Sequence, residues 1–265
     1  MRPGTRGIIR SALLIAVSLM VGCSSGALAQ KGATAVNTAG PQAIESEQDL
    51  VQWMTYYYMH PQPNLVVPAL LFADTHDLIA KGQAPLTAFV SQVFAQNPKK
   101  IDGWAAQLGP ALSKKSLPML WSALWWSNTR EGKDALEKSI SEQLPEKSQD
   151  LVRGQMAKAP EPIEQREIKS QDVVDELWGA FTATGDDRYV ERVMTVLPWS
   201  YDPAGDYNKL SIGGAARWSL TSNAQQHPKV KELVARMRQT HPEWKKALDQ
   251  VLADASKTAA QTTAH

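Results

Sequence analysis

The chain has 265 residues, 43% of them hydrophobic, with 28 basic against 27 acidic side chains and one cysteine. That charge balance lacks the basic excess a nucleic-acid partner or a polybasic membrane face requires. A single cysteine excludes an internal disulfide, but a chain this long buries enough apolar surface to do without one.

Arg2, Arg6 and Arg10 form a basic start without an acidic residue, and an apolar run follows over 11–21, too short to span a bilayer. This pattern predicts an export signal over 1–22. Without those three arginines the balance is 25 basic against 27 acidic residues. Met20-Val21-Gly22-Cys23 resembles the bacterial lipoprotein lipobox, with Met20 where the pattern usually has Leu. The resemblance implies that Cys23 is lipidated and becomes the new N-terminus, giving a membrane anchor. Ser24 after it implies sorting to the outer membrane, facing the periplasm. Ala27-Leu28-Ala29 offers a competing cleavage site, which would leave the protein periplasmic or secreted. Small and polar residues over 23–43 predict a flexible tether, and the Ala-, Thr- and Gln-rich stretch 253–265 a disordered tail.

Residues 44–252 read as one all-α domain of about ten helices in antiparallel αα-hairpins. Ser46 is placed to cap a first helix rich in Trp53, Met54, Tyr57 and Tyr58, which Pro61 and Pro63 end. Hairpins are predicted over 65–94, 116–144, 171–199 and 215–234. In the third, Val174, Leu177, Trp178 and Phe181 fall at i, i+3, i+4 and i+7, one face of a helix. Asp172 is expected to cap it, Gly185 to terminate it in the left-handed conformation, and Asp186 to cap the next helix. Leu120-Trp121-Ser122-Ala123 echoes Leu177-Trp178-Gly179-Ala180. In the last hairpin Thr221-Ser222-Asn223 is read as the break, with Trp218 a core position like Trp121 and Trp178. The polar stretch 151–170 reads as a long loop. The spacing from Trp121 to Trp178 to Trp218 fits no fixed period. Stacked hairpins with aromatic and small residues at set places resemble the tetratricopeptide and related helical repeats. The phrase over 176–193, ELWGAFTATGDDRYVERV, is similar to a class of bacterial exported helical proteins to which no activity is attached.

Motifs for nucleophilic, phosphate-binding or zinc chemistry are absent from the sequence. Asp74-Thr75-His76-Asp77, with His60, and the group Asp186, Asp187, Asp202 and Asp206 are the densest ligand clusters. Each reads better as helix-end polarity, so no metal or cofactor is expected. Asp175, Glu176 and Asp186 are the nearest carboxylates for hydrolysis of an envelope polymer, the alternative to a non-catalytic reading. An apolar-ligand carrier is a third possibility, and needs an enclosed cavity. Aromatic residues that packing leaves unexplained are Trp125 and Trp126, which one helix face cannot bury alike, and Trp199, Tyr201 and Tyr207 in a predicted loop. They are the candidate contacts for a protein or peptide partner. The lipobox makes the first prediction: Cys23→Ala releases the protein from the membrane fraction, and persistence there refutes lipid anchoring.

Overall fold

The computed structural model describes residues 40–201 and 206–262. Cys23, the signal segment and Asp202 lie outside them. Among the described residues the protein is all-α, without a strand. Its first half comprises α1 (Glu47–Tyr56), α2 (Val66–Thr75), α3 (Leu78–Lys81), α4 (Gln83–Gln96), α5 (Ile101–Ala111), α6 (Leu117–Trp126), α7 (Arg130–Gln143) and α8 (Glu146–Met156). The second half comprises α9 (Gln171–Thr184), α10 (Asp187–Met194), α11 (Tyr207–Gln226), α12 (Pro228–Thr240) and α13 (Lys245–Thr262), with a 3-10 turn at Leu197–Tyr201.

Local signals set most of the ends. Ser46 Oγ accepts from the Asp49 amide, Thr129 Oγ1 from that of Gly132, and Asp206 Oδ1 from that of Lys209. Gly185 closes α9 with φ at 69°, and Asp186 Oδ1 accepts from the Arg188 amide to open α10. The α9 N-cap is Ser170, not Asp172, which lies in the first turn where the helix dipole favours an acid.

Each half owns an apolar cluster. Phe89, Phe94, Ile101, Leu120 and Leu124 lie in the first, and Trp178, Phe181, Val193, Leu220 and Val234 in the second. The most extensive helix contact is α4 against α9, partners distant in sequence. A Cβ on Gly179 would stand 2.1 Å from the Pro85 carbonyl oxygen, so the two backbones touch there and no side chain fits between them. The helices also exchange residues: Ala88 of α4 belongs to the second cluster and Ala183 of α9 to the first. Gln96 Nε2 donates to the Ala183 carbonyl at 3.1 Å. The tryptophan echo carries over into chemistry, since Trp121 Nε1 donates to Ser139 Oγ and Trp178 Nε1 to Ser219 Oγ, both at 2.9 Å.

Three sequence expectations need correction. Helix α11 runs through Thr221-Ser222-Asn223 unbroken, because Thr221 Oγ1 donates to the Arg217 carbonyl and Asn223 Nδ2 to that of Ser219. Bonding one turn back lets such residues stay inside a helix. The predicted loop over 151–170 begins as α8, and its remainder is pinned by buried Ile163 and Ile168. The predicted disordered tail continues α13 to Thr262, where Val251 and Ala255 are buried against the second cluster.

Gly179→Ala is expected to destabilise the protein by about 3 kcal/mol or more, as a side chain forced against backbone does. Gly214→Ala, where a Cβ meets nothing within 4 Å, is expected to be neutral or to stabilise by up to about 1 kcal/mol. Denaturant titration of both variants checks the pair.

Candidate functional site

The predicted aromatic residues fall into two places. Trp125 and Trp126 end α6 and straddle the two halves: both are half-buried, Trp125 against the first cluster and Trp126 against the second. Trp125 Nε1 donates to the Lys158 carbonyl at 3.2 Å. The Arg166 guanidinium lies 3.8 Å from the Trp126 ring centroid and donates to Glu176 Oε2 at 2.6 Å. Its Nε donates to the Glu161 carbonyl at 3.4 Å. Arg166 thus fastens the segment before α9 to both α6 and α9, and both tryptophans have partners inside the protein.

Trp199 and Tyr201 lie on the 3-10 turn, which packs on α11 and brings Tyr201 against α13. Contact is possible because Gly213 has no side chain: a Cβ there would come within 2.4 Å of the Ser200 amide nitrogen. Lys209 and Arg217, one turn to either side of Gly213, reach the two rings. Lys209 Nζ lies 5.8 Å from the Trp199 centroid, and Arg217 Cζ 5.6 Å from that of Tyr201. Lys246 of α13 approaches Tyr201 at 5.8 Å, and the Tyr201 hydroxyl donates to Gln250 Oε1. Arg217 pairs with Asp254 at 3.0 Å.

Beside this row α11 presents the surface the sequence reading missed in part. Tyr207 is 86% exposed, Leu210 36% and Trp218 44%. With exposed Gly214 they share one face of the helix, and Ser211, Thr221, Ser222 and Gln225 complete it. Between Tyr207 and Gln225 no charged residue lies on that face, although solvent-facing helix surfaces usually carry charge; the exposed N-cap Asp206 stands at its start, one turn before Leu210. Trp218 is therefore a surface residue rather than the core position its sequence context suggested. Its stripe was concealed because α11 is apolar on both sides, so no single periodicity stands out.

The other candidate clusters resolve into structural roles. Asp74 accepts from the Ser113 amide at 2.8 Å and from both the Ser113 and Ser116 hydroxyls at 2.5 Å, tying α2 to the start of α6. Asp77 pairs with Lys115, and His76 Nδ1 lies 2.9 Å from the Phe72 carbonyl. Asp187 pairs with Lys229 at 3.2 Å and Arg236 at 2.8 Å. No group of three or more His, Cys, Asp or Glu side chains among the described residues could hold a metal ion. An open recess of about 450 Å³ lies between residues 40–43 and α1, lined in part by Glu45, Asp49 and Gln52. Its open, partly polar character does not suit an apolar ligand.

Comparison with known proteins gives no match, whether to a family model, to a curated protein or to a solved structure.

Of the three carboxylates considered for hydrolysis, two are committed: Glu176 to Arg166, and Asp186 to Arg188 and the α10 cap. Asp175 differs. Burial, followed by repulsion from Asp172 and Glu176, pushes its carboxyl up to about 7, and no hydrogen bond from the described residues holds the charged form. His227 is buried completely between α1 and α9, with Nδ1 3.2 Å from the Tyr58 hydroxyl, rings of Tyr56, Tyr58 and Phe181 around it, and Nε2 without a partner. Burial pushes it down to about 4.

These two groups act on stability in opposite directions over one pH range. Asp175, with its pKa raised in the folded state, costs stability as pH climbs from 3.8 towards 7. His227, with its pKa lowered, costs stability as pH drops from 6.5 towards 4. At about 1.4 kcal/mol per unit of pKa, the effect is on the order of 4 kcal/mol at most for Asp175 and on the order of 3 kcal/mol at most for His227. Asp175→Asn is therefore expected to stabilise the protein at pH 8 and to unmask a stability that rises between pH 4 and 6.5. Unfolding midpoints measured across that range check it, and a variant that tracks the wild type at every pH refutes it.

Proposed function

We propose that the protein is an exported, lipid-anchored binding protein of the bacterial cell envelope that docks a partner protein on the solvent face of α11. The observation that carries the reading is that face itself. A surface depleted of charge and enriched in tyrosine and tryptophan has the composition of an interface core. Exposed Tyr207, Leu210 and Trp218 gather on it beside the rings of Trp199 and Tyr201. Its shape is fixed in advance, because Gly213 seats the 3-10 turn and the opposite face of α11 holds Ile212, Ala216 and Leu220 in the core. A preorganised surface loses little entropy on binding. Among the described residues no helix is long and apolar enough to cross a membrane. Membrane attachment in this reading comes from Cys23.

The committed state of Glu176 and Asp186 supports binding over hydrolysis. Acid–base cleavage needs a second carboxylate opposite the first, and the carboxylates beside Asp175 among the described residues are Glu176, paired with Arg166, and Asp172 on the surface of the first turn of α9.

Site-specific photocrosslinking in intact envelopes tests the docking face. A photoreactive phenylalanine at position 207 or 218 is expected to give a discrete crosslinked adduct. The same group at Leu151, 66% exposed on α8, is expected to give none. Adducts from position 151 alone, or equally from all three positions, refute the assignment.

A further inference from the structure

We infer that α8 is a hinged flap. Held between Pro145 and Pro160, it leaves the first half as one unit while the rest of the protein stays folded, and its opening uncovers Trp125. The inference is independent of the reading of α11.

Burial provides the first argument. Among the helices of the described residues, α8 alone has no buried residue. Gln149, Val152, Arg153 and Met156 fall at i, i+3, i+4 and i+7 and form its inner face, and all four are only half-buried. Val152 and Met156 rest on the first cluster. The main helix neighbour is α7. The polar ties between the two lie at the surface. The Arg153 guanidinium donates to Glu137 Oε1 at 2.5 Å and to Ser141 Oγ at 3.1 Å, and Gln149 Nε2 donates to the Leu144 carbonyl at 2.9 Å. Exposed pairs of this kind contribute little to stability.

Local chemistry provides the second. Pro145 stands at the N-cap and offers no side-chain acceptor to the first turn, whereas α7 begins on the Thr129 hydroxyl. Gly154 lies inside the helix, where glycine weakens it, and nothing within 4 Å of its missing Cβ requires a glycine there. A helix of 11 residues does not persist by itself in water. Helix α8 is therefore formed only while docked, and it melts cooperatively when it leaves.

The two ends supply the hinges. Pro145 has extended backbone, with ψ at 146°, and no N–H, so the hydrogen-bond ladder of α7 stops at Leu144. Beyond α8 the chain is anchored again, because Pro160 and Ile163 are buried and Arg166 Nε donates to the Glu161 carbonyl. Between these anchors Trp125 Nε1 donates to the Lys158 carbonyl, which makes it a latch from α6 to the trailing end of the flap. Opening breaks that bond and leaves the half-buried Trp125 ring facing water, next to Trp126 at the junction of the halves.

Hydrogen exchange of the full chain, followed residue by residue through a series of low urea concentrations, tests the flap. Amides bonded within α8 are expected to exchange at one shared rate, at least about a hundred-fold faster than those of α9, with little dependence on urea. Gly154→Ala is expected to slow that exchange about five-fold. Trp125→Phe, which lies outside α8 and removes only the latch N–H while keeping an aromatic ring, is expected to speed it about five-fold. Exchange of α8 at the rate and urea dependence of α9 shows that it opens only with the whole protein. A rate graded inward from the ends shows fraying, and a lack of protection shows that α8 is not docked. Indifference of α8 to Trp125→Phe shows that the latch is absent. Each of these four outcomes overturns the inference.

Discussion

The contact on which the rest of the structure depends is the crossing of α4 and α9, where Gly179 lies directly on the Pro85 backbone. Helix axes come this close only if one side chain is missing, and the missing one is replaced by nothing. Around that point the halves trade residues, Ala88 one way and Ala183 the other, so neither apolar cluster is complete without the opposite half. Polar contacts reinforce the junction: the Tyr58 amide donates to the Thr182 carbonyl at 3.0 Å, and the Tyr189 hydroxyl to Gln92 Oε1 at 3.3 Å. Two bodies sharing residues in this way should melt as one cooperative unit.

From this crossing the geometry propagates to the surface. With α9 fixed, Trp178 reaches Ser219 inside α11, and Gln171 Nε2 donates to Ser211 Oγ at 2.8 Å nearer its start. Those two bonds set the rotation of α11 about its own axis. The rotation decides that Ile212, Ala216 and Leu220 face inward and that Tyr207, Gly214 and Trp218 face water. A single glycine in each place, Gly179 below and Gly213 above, permits the close approach that keeps the rotation fixed.

Much of the fold could be read from the sequence because local chemistry dictates it. The Ser46 cap, the Gly185 stop and the Asp186 restart depend on residues within a few positions of one another. The stripe of Val174, Leu177, Trp178 and Phe181 depends only on helical periodicity. What could not be read arises from distance. Thr221-Ser222-Asn223 looks like a break until their side chains are seen to bond the preceding turn. Residues 253–262 look featureless, yet Ala255 gains a partner once α11 and α12 are in place. The candidate site was legible in part: Trp199, Tyr201 and Tyr207 signal themselves as aromatics outside the hairpin pattern. Trp218 and Leu210 did not, because an apolar residue on an exposed face and one in a core have the same letter, and only burial separates them. Asp175 stood among the weighed carboxylates, but its unpaired state depends on Arg166 choosing Glu176, a choice that adjacent positions in sequence do not reveal.

Tyr58 and His227 are 169 residues apart and meet in the interior. Tyr58 stands one residue beyond the C-cap of α1, the helix through which residues 40–46 enter the fold, and its ring rests on Phe181. A tension applied at residue 40 is therefore not borne by α1 alone. It passes through Tyr58 to Phe181 of α9 and to His227 at the start of α12, so the entry of the chain is fastened to the second half as well as the first. Residue 40 thus enters the fold beside a contact that spans most of the described chain.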